Sequence, residues 1–135
     1  MKVKDVPQDD SFVQPDRDVN LCGRLFALDD DGKYQEVPSA GWSPRNEAVR
    51  FAWNSRKEEA GQVREKVLSG KYSPLAFHMA RAMMTSGMMA GYTGFSRRNI
   101  NKFCKPKHFA SLDSEALSKL AGALNMSVEE LISID

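Results

Sequence analysis

Between Glu65 and Asp113 this chain has no acidic residue. The same interval holds Lys66, Lys71, Arg81, Arg97, Arg98, Lys102, Lys105 and Lys107. Acids crowd the first third instead, at Asp5, Asp9, Asp10, Asp16, Asp18, Asp29, Asp30 and Asp31. The net charge of +1 hides this division. A later half with cations and no carboxylates is either a solvated basic face or a surface for an anionic partner.

Other absences exclude whole classes. The two cysteines, Cys22 and Cys104, are too few for a disulfide scaffold and suit a reduced, cytoplasmic setting. The start, MKVKDVPQDD, lacks the apolar run of a signal peptide. The Met- and Ala-rich stretch 75–95 is interrupted by His78, Arg81, Thr85 and Ser86, so it reads as core and no membrane partner is expected. Gly87 and Gly91 have GxxxG spacing outside any apolar 20-mer, where that spacing carries little weight. The phrase GYTGFS is neither a nucleophile elbow nor a phosphate loop. Glu58 and Glu59, like Glu129 and Glu130, are sequence neighbours on expected helices and do not face each other as an acid–base pair. Cys104 and His108 are four apart, but Pro106 breaks the helix between them and no other Cys/His cluster exists. Neither an enzyme, a cofactor nor a metal site is expected.

The apolar fraction of 41% over 135 residues permits one core, or one small domain with an extension. Residues 1–22 are polar and acidic with Pro7 and Pro15, and are expected to be an arm that is irregular or ordered only by docking. Residues 23–42 read as a β-hairpin: Leu25 to Leu28 form an apolar run, Asp31-Gly32 supplies the turn, and Tyr34 and Val37 resume. The aspartates there lack the rest of a calcium-loop pattern and read as a plain turn. Residues 43–70 read as an amphipathic helix. Ser43 is its N-cap, Pro44 its first residue, Gly70 its end, and Val49, Trp53, Ala60, Val63 and Val67 its inner stripe. This helix either packs on the later domain or pairs with its twin in a dimer.

From Ser73-Pro74 the pattern predicts a mainly α domain over 71–135 with five helices. They lie near 74–84, 86–92, 97–104, 114–124 and 128–133. The first should turn Leu75, Met79, Ala82 and Met83 inward, with His78 on the same stripe as a core or interface histidine; the fourth should turn Leu117, Leu120, Ala121 and Leu124 inward. Met79, Met83, Met84, Met88 and Met89 read as plastic core, with a partner surface as the alternative for some of them. Asn125 suits the left-handed residue after a helix end, and Ser127 with Glu130 forms a capping box.

The third helix carries the functional signal. With Arg97 at 0° and about 100° per residue, Asn101, Lys105, Arg98 and Lys102 fall at roughly 40°, 80°, 100° and 140°. Ile100, Phe103 and Cys104 fall at roughly 300°, 240° and 340°. One side buries and the other presents cations and an amide. Arginine pairs with guanine, asparagine with adenine, and lysine with phosphate or guanine. Ser96 is the expected N-cap, and the free N–H groups of such a helix start favour phosphate.

The run Met89-Ala90-Gly91-Tyr92-Thr93-Gly94-Phe95-Ser96-Arg97-Arg98-Asn99-Ile100 resembles the helix-turn-helix of phage-repressor-type, lambda-repressor-like DNA-binding domains. Leu117 to Leu131 is similar to that family's closing helices, and the resemblance covers about 74–132. It implies a five-helix domain preceded here by a small hairpin and a linking helix. It also implies that Arg97, Arg98, Asn101 and Lys102 enter the major groove of double-stranded DNA, while Ser86 and the start of the second helix meet phosphate. The chain departs from the family in Ser86, Gly87, Met88 and Met89, where a glutamine-rich helix start is usual, and in KPKHFAS after the third helix. The hairpin LFALDDDGKY is also similar to one that short bacterial proteins join to such a domain, a likeness that brings no function with it.

The expected function is a sequence-specific DNA-binding transcriptional regulator, acting as a homodimer because one short recognition helix reads too few base pairs, with Ser86, Ser96, Arg97, Arg98, Asn101, Lys102 and Lys105 as contacts. The alternative is a protein–protein interaction module, antitoxin-like or an adaptor, that keeps the fold without DNA. In its antitoxin form the acidic arm folds on a basic toxin.

Overall fold

The computed structural model describes residues 1–9, 12–14 and 19–135. Two compact units divide the chain, Met1–Asn54 and Ser55–Asp135. The molecule is mainly helical with small antiparallel β pairs before the helices.

The first unit contains β1 (Phe12–Gln14), β2 (Val19–Leu21), β3 (Gly23–Leu28) and β4 (Tyr34–Ser39). β3 and β4 form the expected hairpin, with Leu25 opposite Val37 and Leu28 opposite Tyr34. Gly32 takes the left-handed conformation, φ 75°, at the turn. The Asp29 carboxylate organises that turn by accepting the N–H groups of Asp31 and Lys33 at 3.0 and 2.9 Å.

The arm, expected to be irregular or ordered only by docking, has local structure over its described part. Residues 3–5 form a 3-10 turn, and β1 pairs antiparallel with β2. Residues 1–9 are laid along the hairpin and its exit. Lys2 bridges to Leu28 and Gln8 to Gly41, both in parallel sense. The Gln8 side chain donates to the Pro38 carbonyl at 2.8 Å and accepts the Ala40 N–H at 3.0 Å. Ser39 donates its hydroxyl to the Pro7 carbonyl, and Val6 is buried. Polar side chains satisfy the backbone here, so an acidic, apolar-poor segment is ordered without a large core. Asp10, Asp16, Asp18 and Pro15 of the expected arm lie outside the described residues.

Helix α1 (Ser43–Leu68) runs across the division between the units. Ser43 is its first residue and not its cap. The Asp9 carboxylate, far back in the chain, accepts the Ser43 N–H at 2.7 Å and sets a negative charge at the helix start. The expected stripe is the sheltered side: Ala60 is buried, and Val49, Trp53, Val63 and Val67 are half-buried. Phe51 and Leu68, off that stripe, are exposed. Arg64 Nε donates to the Ile134 carbonyl at 3.3 Å, tying the later part of α1 to the C-terminal segment. The end at Gly70 is a Schellman turn: Gly70 N–H reaches Val67 O, and Lys71 N–H reaches Lys66 O at 2.9 Å.

The second unit contains α2 (Pro74–Arg81), α3 (Ser86–Thr93), α4 (Arg97–Phe103), α5 (Pro106–Phe109), α6 (Ser114–Ala123) and α7 (Val128–Ile132). With α1, the described residues hold seven α-helices. The extra one is α5, where Pro106 starts a new helix after breaking the old one. Leu75, Met79, Met89, Ile100, Leu120, Ala121, Leu124 and Leu131 form one buried cluster. Burying each large side chain of this kind contributes about 1.5–3 kcal/mol before chain entropy is counted.

Helix α2 ends at Arg81, three residues before the expected limit, because Met83 turns left-handed with φ 55°. Met84 N–H then reaches Met79 O at 2.9 Å, closing a Schellman turn. Met83 is consequently exposed and does not join the core, as Leu75 and Met79 do. Asn125 takes the left-handed position after α6, and Ser127 and Glu130 make the capping box of α7.

Candidate functional site

Helices α3 and α4 are joined at Gly94, which sits left-handed at φ 79° and caps α3. Thr85 is the N-cap of α3, its hydroxyl accepting the Met88 N–H at 3.2 Å. The Ser96 hydroxyl caps α4 by accepting the Asn99 N–H at 3.2 Å. Beneath α4, Ile100 is fully buried. Phe95 and Phe103 meet edge to face with centroids 5.3 Å apart, so the turn and the far end of α4 brace each other.

The outer face of α4 presents Arg97, Arg98, Asn101 and Lys102, all exposed. Among the described residues none of the three cations pairs with a carboxylate. Arg97 folds back across the start of α3. A Cβ on Gly87 would lie 2.9 Å from Arg97 Nη2, so the glycine gives the guanidinium its seat. Ser86 is half-buried, and its hydroxyl donates to Asn101 Oδ1. That bond ties the start of α3 to the α4 face and holds the amide with its NH2 group as the free donor. Ser86 thus stands behind Asn101 in place of lying open.

Lys105 departs from its expected place. Helix α4 ends at Phe103, Cys104 caps it, and Lys105 is extended at φ −96°, ψ 137°. The following Pro106 disfavours the helical conformation at Lys105, so helical angles do not apply there. Its ammonium lies 4.8 Å from the centre of the Tyr72 ring. Lys66 and Lys71 place theirs 5.9 and 6.0 Å from the same centre. This cluster was not anticipated; the only sequence signal was one tyrosine beside Lys71 in the acid-free interval.

His78 and Cys104 lie inside the second unit, the first buried and the second half-buried. His78 is buried and its Nε2 is 2.6 Å from the Ser133 carbonyl, so that nitrogen donates there and pins the C-terminal segment. Burial pushes the Cys104 thiol up, an effect Lys105 partly offsets. Cys104 and His108 stand on either side of the break before α5.

No family model matches the chain, and no curated protein and no solved structure matches it significantly. No helix of the described residues is long and apolar enough to cross a membrane.

Proposed function

We propose that residues 74–132 are a lambda-repressor-like domain, that α3 and α4 are its helix-turn-helix, and that the chain is a DNA-binding transcriptional regulator. The carrying observation is the outer face of α4: Arg97, Arg98, Asn101 and Lys102 exposed over a buried Ile100, in an interval without acids. These side chains match the donor and acceptor pattern of the major groove. Helix α4 has 7 residues and spans about 10 Å, enough for only a few base pairs. Useful specificity therefore calls for two copies on a two-fold operator, where the protein acts by occlusion or recruitment.

The test is selection of duplexes from a random pool by the full chain, followed by titration of the winning site. Arg98→Ala and Lys102→Ala should each weaken binding by about 1–3 kcal/mol where they contact bases. Unchanged affinity in both variants defeats the proposal. The second reading, a protein-interaction module, is favoured by Met88 and Tyr92, which are exposed on α3. It calls for a protein partner captured equally well at low and high salt.

A further inference from the structure

We infer that Lys66, Lys71 and Lys105, gathered around Tyr72, form a clamp for the phosphodiester backbone of duplex nucleic acid beside the α4 face. The inference rests on the DNA-binding reading above and gives that surface a second, sequence-independent part.

All three ammonium groups lie within 6.0 Å of one ring centre. They come from three places in the chain: the last turn of α1, the Schellman turn after it, and the residue following the cap of α4. Gathering like charges is unfavourable, and among the described residues no carboxylate pairs with any of them. The ring face offsets part of the repulsion, and an anion would remove the rest.

The seat of the cluster is rigid. Ser73, fully buried, donates its hydroxyl to the Phe103 carbonyl at 2.6 Å and its N–H to the Cys104 carbonyl at 2.8 Å. Those bonds fasten the residue after Tyr72 to the end of α4. The N–H groups of Lys71 and Tyr72 both reach the Lys66 carbonyl, at 2.9 and 3.2 Å. The backbone that carries Lys71 and Tyr72 is therefore held against the end of α4 before any ligand arrives.

Lys105 also joins the cluster to the reading face. Its N–H donates to the Lys102 carbonyl at 2.9 Å, and Lys102 stands one turn from Arg98 on α4. Cations thus continue from the α4 face to groups that lie off that helix. Lys105 lies past the end of α4, and Lys66 and Lys71 belong to other elements, so the cluster is assigned to backbone phosphates, which add affinity and register and not sequence choice. A nucleic-acid backbone fits better than an acidic peptide, because both cation sets lie in one unit and the same acid-free interval.

The experiment is fluorescence anisotropy of the full chain on its selected duplex and on a scrambled duplex, from about 50 to 200 mM KCl, where backbone contacts give steep salt dependence. Replacing Lys66, Lys71 and Lys105 together by alanine should make the log–log salt slope shallower by about 2–3, near 0.9 for each lost phosphate contact. Affinity should fall on both duplexes by the same factor, and the three-arginine variant should keep the wild-type slope. Circular dichroism melting checks that the alanine variant folds. An unchanged slope, with Arg98→Ala still losing preference for the selected duplex, overturns the clamp and leaves the DNA reading standing. No duplex bound by wild type even at the lowest salt overturns both. Loss of binding to polyglutamate with duplex affinity intact reassigns the cluster to an acidic protein and overturns the inference.

Discussion

Among the described side chains of residues 1–54, the buried apolar residues are Val6 and Ala27, and Ser39 and Asn46 are buried beside them as polar groups. Residues 55–135 bury Leu75, Met79, Met89, Ile100, Leu120, Leu124 and Leu131 in one cluster. The first region is ordered by side chains that answer backbone groups far away in sequence: Gln8 at Pro38 and Ala40, Ser39 at Pro7, Asp9 at Ser43. The second is ordered by shape and area, with local side-chain caps at the starts of α3, α4, α6 and α7. The difference teaches where each region is vulnerable. An apolar core fails through cavities, whereas a polar-stitched hairpin fails when one donor or acceptor is left alone.

The largest effect should come from Ile100→Ala, which empties the fully buried seat under α4. We expect a loss of about 2–5 kcal/mol in denaturant titration. A loss well under 1 kcal/mol would mean that α4 is not anchored from below, and the contrast between the regions would weaken. Next is Gly41→Ala in the first region. Gly41 has φ 98°, and a Cβ there would lie 2.6 Å from Asn46 Oδ1. Strain of about 1–3 kcal/mol is expected, together with displacement of the Asn46 amide from the Ala40 carbonyl. Faster hydrogen exchange at Asp9, whose N–H bonds to Gly41 O, is the local readout.

Ser39→Ala probes the polar stitching directly. It would strip the Pro7 carbonyl of its donor and the Gly41 N–H of its acceptor while removing no apolar area. We expect a cost of about 1–3 kcal/mol; a neutral result would show that water satisfies both groups and that this region is held otherwise. The smallest effect, and the only favourable one, is Met83→Gly. Methionine is strained in the left-handed conformation and is exposed there, so glycine should raise stability by about 0.5–1 kcal/mol. A lower melting temperature would show that the Met83 side chain contributes more by packing than its backbone loses.

The same contrast explains what could be read in advance. Helix ends marked by Gly70, Gly94, Asn125 and the Ser127–Glu130 box were legible, because a cap or a left-handed residue is a local requirement. The early end of α2 was not, since Met83 is a residue that gives no sign of a left-handed turn. Pro106 announced a break, but its second role as the first residue of α5 appeared only once the chain was folded. The face of α4 was legible as far as Lys102, and the periodicity misled at Lys105, where the helix has already stopped.

Helical spacing alone set Ile100 inward and Arg97, Arg98, Asn101 and Lys102 outward, because 3.6 residues per turn leaves little choice once Ser96 caps a helix that starts at Arg97. Tertiary structure alone brought Asp9 to the start of α1, Ser86 to Asn101, and three lysines to Tyr72. Those meetings join residues from separate elements, and nothing in the spacing of either partner specifies how the chain between them returns.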